Sequence, residues 1–535
     1  MVRALTLLLL AGIGTGAHAR EIVDASVPEA LSVTVYRDPE RGPGEEMDRD
    51  LPRGFAMISE TRSVTLPPGE STIRFEGVAE GMVAVTAIVT GLPGGTIEKN
   101  RNAELLSPAA LVDGRLGNRV IITRTNPATG QAQSERAIVR TRADGGLVLQ
   151  TGAGYEAVRC SGLPEKLSFD RVPPGLSAQP VFSLDTRDAT GGSYRVTLTY
   201  LAWGFDWQAH YVATLRQGGA KGKRRMRLLS WLTLLNDNGQ GFADAELLAV
   251  AGRLNVESDF EELADPPQAN PLRLLCYPLG STSRGSPAGM PVPAKFAAAP
   301  LMEGDQIIVT ARRMEAGMMD VPASVAMVAS EEQLGDLKLY RVPEPVDVSA
   351  KSLKQVAFLN RDDVEGELIY SAQCAPWQRD EEPQPARMVL TTVNDERHGL
   401  GVALPMGGVA LFELSPAGEL LVAENRLRDY AVGQDVEIEL ADSANVFVTC
   451  ALQGEEDWDE SSPQWRTMRA VVSNANSRKV AVRLDLGPPD RWQLRRTPGR
   501  AKVEDGLWRI ETNVGSGKSR ELTWQIRPAN AVADE

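Results

Sequence analysis

Imidazole is scarce in this chain. Three histidines occur in 535 residues, and His18 sits in a stretch with the marks of a leader, so His210 and His398 are the two expected after export. Neither has a cysteine at ligand spacing and there is no HExxH, which argues against a zinc site of the His/Cys kind. His210, inside an aromatic strand, reads as a hydrogen-bonded core or rim residue, and His398, after Asn394, Asp395, Glu396 and Arg397, as part of a solvated turn. Cysteine is equally thin. Cys160, Cys276, Cys374 and Cys450 form no CxxC or CxC; an oxidising compartment allows one or two disulfides with three connectivities open, and buried free thiols are the other reading. A GxSxG elbow, a P-loop and a dinucleotide fingerprint are all missing, and Gly152-Ala153-Gly154 lacks the lysine and the helix of a phosphate loop. No catalytic residue, metal ligand or cofactor is named by these residues.

Positive charge is also in deficit. Lys and Arg total 57 against 71 Asp and Glu, a net charge of -14, a balance that disfavours nucleic acid and anionic lipid surfaces. The cluster Lys221 to Arg227 reads as a solvated hairpin loop. Long apolar runs are confined to the start, where Arg3, the run Ala4 to Ile13 and Ala17-His18-Ala19 predict a signal peptide cleaved after Ala19. That run is shorter than the roughly 20 residues a membrane span needs. The expectation is therefore a periplasmic or secreted protein with no integral span.

What the chain does have is alternation. Tyr200, Ala202, Phe205 and Trp207, then Tyr211, Ala213 and Leu215, fall at near period-two spacing, with a bend or bulge at Gly204 and Asp206. Leu229, Trp231, Thr233 and Leu235 continue in an almost wholly apolar strand, and Asn236-Asp237-Asn238-Gly239 closes it as a turn. Those four residues also resemble the start of a calcium loop, but the Glu that would complete it is out of place. Similar runs fill the rest of the chain, from LSVTVYR to LTWQIRP. They predict an all-β, mainly antiparallel fold of several sandwich or barrel modules with a long irregular insert.

The expected division is a signal peptide at 1–19, an N-terminal β domain at 20–104 and a small barrel-like module at 105–165. A central β domain at 166–455 follows, its Pro- and Ala-rich insert lying at about 257–335, and then a C-terminal sandwich at 456–535 beyond the acidic linker Glu455 to Glu460. The segment DPERGPGEEMDRDLPRG, after Arg37, is expected to be a mobile surface loop. Trp203, Trp207, Tyr211 and Trp231 are the candidate binding residues, an aromatic platform for a sugar ring or a peptide; packing in a β core is the competing use of such rings.

Two resemblances stand out. QIIVTARRMEAGMMDVPASVAMV, Gln306 to Val328, is similar to the opening of the plug domain of TonB-dependent outer-membrane receptors, although no barrel could follow it and a merely local likeness is the other reading. YLAWGFDWQAHYVATL, LNDNGQGFADAELLAVAG, LKLYRVPEPVDVSAKSLKQVAFL and GLGVALPMGGVALFEL together resemble successive blocks of the bacterial "domain of unknown function 4139" proteins, over most of Leu176 to Pro528. That resemblance implies an exported, mostly β, multidomain protein and carries over no catalytic residue. A non-enzymatic binding or scaffolding role, with an envelope protein or a glycan as partner, is the leading expectation. Hydrolysis by paired carboxylates on a β scaffold is the alternative, and contact with outer-membrane transport machinery through 306–328 a third.

Overall fold

The computed structural model describes residues 20–102, 105–113, 117, 119–126, 128–140, 147–157, 165–170, 172, 176–216, 223–252, 254–264, 329–335, 337–379, 382–454 and 464–529. The expected leader at 1–19, most of the expected insert with 306–328, the acidic stretch Glu455 to Glu460, Cys160 and Cys276 lie outside them. Strand accounts for 64% of the structure and helix for 3%, so the period-two reading holds: the fold is all-β and mostly antiparallel. The described residues divide into two compact units, each drawn from separated segments: those within Met1–Ala30, Glu60–Tyr200 and Glu262–Ser324 in one, those within Leu31–Ser59, Leu201–Glu261 and Val325–Glu535 in the other.

In the first unit, the strand Gly69–Glu76 pairs in parallel with Glu21–Asp24 and antiparallel with Val181–Asp188. In Gly69–Glu76 the fully buried Ile73 and Phe75 alternate with half-buried or exposed neighbours, as on a half-covered sheet, whereas Val181–Asp188, with Phe182 and Leu184, is buried at every position but Arg187. Beneath them lies a closed polar network. The Tyr200 hydroxyl donates to Glu60 Oε1 at 2.9 Å, Arg62 donates to Glu60 Oε2 through Nε at 2.8 Å and Nη2 at 2.6 Å, and Arg62 Nη1 reaches the Glu76 carbonyl at 2.9 Å. All three side chains are buried and paired, which is the condition for tolerating charge in a core.

The five strands between 119 and 168 form an open sheet in the order Gly154–Ala157, Val148–Thr151, Ala132–Val139, Arg119–Thr125, Glu165–Ser168. The barrel-like form expected there is not found: the two end strands are four residues each and do not pair with one another. Strands that short cannot supply the tilt and stagger that closure needs. One face instead carries a small core of Val112, Val120, Ile122, Ala137, Val139, Leu147 and Leu149.

In the second unit, thirteen strands form one sheet system. Its main path runs Gly418–Leu427, Gly407–Ser415, Phe205–Arg216, Lys223–Asn236, Ser352–Gln373, Gln384–Val393, Asp435–Leu452, Arg466–Asn474, Lys518–Pro528, Trp492–Arg495. The Asn236 turn behaves as its chemistry dictates: Asn236 Oδ1 accepts from the Asn238 amide at 3.0 Å, and Asn236 Nδ2 donates to the Gln240 and Ser349 carbonyls at 2.9 and 3.0 Å. Gly204 takes φ 86°, a left-handed value that suits glycine at the bend between strands.

The C-terminal sandwich does not begin after the acidic linker. Its core joins Met468, Ala470, Val472, Leu484, Trp492 and Trp524 to Tyr370, Cys374, Ala386, Val446 and Cys450, because the strands before the linker continue the same hydrogen-bonded path. Cys374 and Cys450 form a disulfide, with Cα atoms 5.6 Å apart, and both are fully buried.

Candidate functional site

The first seven strands of that path curl until its end meets its seventh member. Asn425 Nδ2, on 418–427, donates to the Glu439 carbonyl, on 435–452, at 2.9 Å, and no backbone ladder joins the two strands. The polar face of the curl holds two cavities, of about 740 Å³ and about 1050 Å³. Glu437 and Asp505 line both, so the two form one trough.

Strand register explains why acids collect there. Glu367 stands opposite Thr391, Thr391 opposite Glu437, and Val393 opposite Asp435, and residues opposite one another share a face. Arg483 and Arg509 reach in from the strands Val480–Asp485 and Leu507–Val514. Arg483 grips Glu437 with both terminal nitrogens, Nη2 to Oε2 at 2.9 Å. Arg509 donates from Nε to Asp485 Oδ1 at 2.9 Å and from Nη1 to Asp505 Oδ2 at 2.8 Å. Arg428 lies 3.8 Å from Asp505 and over the Tyr430 ring. Lys223 is paired with Glu365, and that contact holds the Glu365 carboxyl below its ordinary pKa.

Every one of these cations is thus committed to a carboxylate. Arg426 is committed as well, to Glu46 and the Gly44 carbonyl. Glu367, Asp435, Glu511 and Glu424 are exposed on the same walls and have no ion pair among the described residues. The trough carries an uncompensated negative charge, concentrated in a concave polar surface where field lines are focused.

Both histidines border it. His210 lines the larger cavity, its Nδ1 3.0 Å from Thr233 Oγ1 and its Nε2 2.9 Å from Gln208 Nε2, and burial lowers its pKa. His398 lines the smaller one at the end of a short 3-10 turn, where its Nδ1 lies 2.7 Å from Asp395 Oδ1; that hydrogen bond holds the Asp395 carboxyl down at about 2. Among the described residues, no three His, Cys, Asp or Glu side chains form a group able to hold a metal ion.

The four aromatic candidates do not make a platform. Trp207 and Tyr211 are 0% and 1% exposed, Trp207 Nε1 donating to the Val250 carbonyl at 3.1 Å and the Tyr211 hydroxyl to the Pro405 carbonyl at 2.6 Å. Strand alternation turns them inward, where Trp207 meets Tyr340 edge-on and Tyr211 meets Phe358. Trp231 is half-buried on the opposite face, across the ladder from His210, and Trp203 is half-buried at a strand end. A large aromatic in a β strand serves the core first.

The expected mobile loop is a strap. Arg41 and Met47 are buried, the Met47 amide donates to Gln208 Oε1 at 2.7 Å, and Pro43, Gly44 and Glu46 form part of the larger cavity's wall. Its proline, glycine and acid content hid two anchors, one cationic and one apolar.

Comparison of the sequence with protein-family models gives no match, and the search of curated proteins likewise gives none.

Proposed function

We propose that this is an exported cell-envelope protein that binds a positively charged, extended partner, such as a lysine- or arginine-rich polypeptide segment, along the trough. One observation supports this above the others: the trough's arginines and lysine are all neutralised internally, while Glu367, Asp435, Glu511 and Glu424 are not. A buried disulfide suits a compartment outside the cytoplasm. Membership of the bacterial "domain of unknown function 4139" family, which the sequence blocks suggest, fits the same reading.

Hydrolysis gains no specific support. The carboxyl that burial lifts to about 6 belongs to Asp206, which is 1% exposed and lines neither cavity. A raised carboxyl serves as a general acid only where it can reach a substrate.

The test is binding of a labelled oligolysine peptide by fluorescence anisotropy, with an oligoglutamate peptide as control. Binding that weakens with salt, and further in a variant with Glu367, Glu424 and Glu511 changed to Gln and Asp435 to Asn, is expected. Equal affinity for both peptides, or an unchanged affinity in the fourfold variant, would refute the reading.

A further inference from the structure

The C-terminal sandwich carries a second charged feature, of opposite sign. Strand Trp492–Arg495 pairs antiparallel with Lys518–Pro528, placing Gln493 opposite Arg527 and Arg495 opposite Gln525. Each glutamine anchors the arginine across from it. Arg495 Nε donates to Gln525 Oε1 at 2.7 Å, and Arg527 Nε donates to Gln493 Oε1 at 3.0 Å. Both guanidinium groups then lie over the indole of Trp465, 4.2 and 4.7 Å from the ring centroid.

The terminal nitrogens of Arg495 and Arg527 have no acceptor among the described residues, and neither arginine has an ion pair there. Stacking on an indole steadies a cation without neutralising it. Arg496, the next residue along, adds a third positive charge. Desolvation first, and then the charges of Arg496 and Arg527, lower the pKa of Arg495. In a chain of net charge -14, such a group has a physical reason to meet an external anion. A carboxylate saturates one guanidinium; two adjacent forks, each fixed at Nε with its outer edge free, match an oxyanion with three acceptor oxygens and up to two charges.

We propose that Arg495 and Arg527, held by Gln525, Gln493 and Trp465, form a binding site for a phosphate group, carried either by a soluble phosphate or by a phospholipid headgroup. The site is independent of the trough and does not rest on it. Sequence reading missed it because the two arginines are 32 positions apart, and the pairing that brings Arg527 to the Arg495-Arg496 stretch is made only in the sheet.

The experiment uses the full mature chain. Inorganic phosphate is titrated against chloride at matched ionic strength, following tryptophan fluorescence with Trp465→Phe as the reporter control. In parallel, co-sedimentation is measured with phosphatidylcholine vesicles with and without phosphatidylglycerol. Arg495→Gln/Arg527→Gln is expected to weaken phosphate-dependent binding by about tenfold or more, as loss of hydrogen bonds to a charged group implies, with an unchanged melting temperature in phosphate-free buffer. Gln493→Ala/Gln525→Ala, which keeps both charges and releases their anchors, should fall between. Binding to inorganic phosphate supports a soluble ligand, and binding only to the anionic vesicles a headgroup. No response in either arm, or equal binding by the double arginine variant, overturns the proposal. So does phosphate binding that emerges only when Glu455, Glu456, Asp457, Asp459 and Glu460 are changed to Ser, because the fork would then serve the chain's own carboxylates.

Discussion

Arg41 and Asp206 form an ion pair with 3% and 1% of their side chains exposed, and it fastens the strap to the strand 205–216. The pair is fully furnished. Arg41 Nη1 also donates to the Trp207 carbonyl at 3.0 Å, while Asp206 Oδ1 accepts from the Trp207 and Asp38 amides at 2.7 and 3.1 Å. Removing one member strands the other in a low-dielectric site. Arg41→Ala is therefore expected to lose about 3–5 kcal/mol of stability, measured by urea denaturation; a loss within error of zero would show that the strap is held elsewhere.

The same pair sets a pH dependence. Burial outweighs the Arg41 charge and raises the Asp206 carboxyl from 3.8 to about 6. A carboxyl raised on folding contributes most below its unfolded pKa, and that contribution is lost as pH rises through the folded value. The stability difference between the native chain and Asp206→Asn should accordingly shrink in the native chain's disfavour between pH 4 and pH 6.5, read from melting temperatures across that range. A difference that grows with pH contradicts the assignment.

Gly407 and Gly408 are adjacent but not equivalent. A Cβ on Gly407 would stand 1.8 Å from the Ala209 carbonyl oxygen, its partner across the parallel ladder, whereas one on Gly408 meets nothing closer than 3.8 Å. Backbone cannot yield as a side-chain tip can. Gly407→Ala should destabilise by more than about 1 kcal/mol and Gly408→Ala by less, compared by thermal melts; equal melts would mean the strand 407–415 is free to shift.

The Cys374–Cys450 bridge spans 76 positions and ties the end of the strand Ser352–Gln373 to the strand Asp435–Leu452 within the sandwich core. On chain-entropy scaling, closing a loop of that length stabilises by about 4 kcal/mol. Cys374→Ser/Cys450→Ser should lower the denaturation midpoint accordingly, and reductant should act on the native chain only under unfolding conditions, since both sulfurs are buried. Reduction in native buffer at the rate of an exposed bridge would disprove that protection.

Much of the fold was legible from alternation alone. Tyr200 to Leu215 and Leu229 to Leu235 lie in strands as their spacing predicts, and the Asn236 turn is made by the side-chain amides its sequence offers. Extended chain puts successive side chains on opposite faces, and this local rule needs no knowledge of partners. It did not say which face of the 205–216 strand would be covered, so Trp207 and Tyr211, reasonable as an exposed platform, proved to be core. Nor did composition distinguish a free acidic loop from a strap fixed by Arg41 and Met47.

The trough was not legible at all. Glu367, Asp435, Arg483 and Arg509 are unremarkable polar residues at alternate positions, separated by as many as 142 places, and no motif ties them together. Residue order by itself determined the strands, their turns and the alternation of side chains between two faces, because those follow from period-two geometry and turn chemistry. Only the tertiary structure decided which strands are neighbours and in what register, since pairing across hundreds of residues depends on how whole faces pack, and it is this pairing that brings the unpaired carboxylates onto one concave wall.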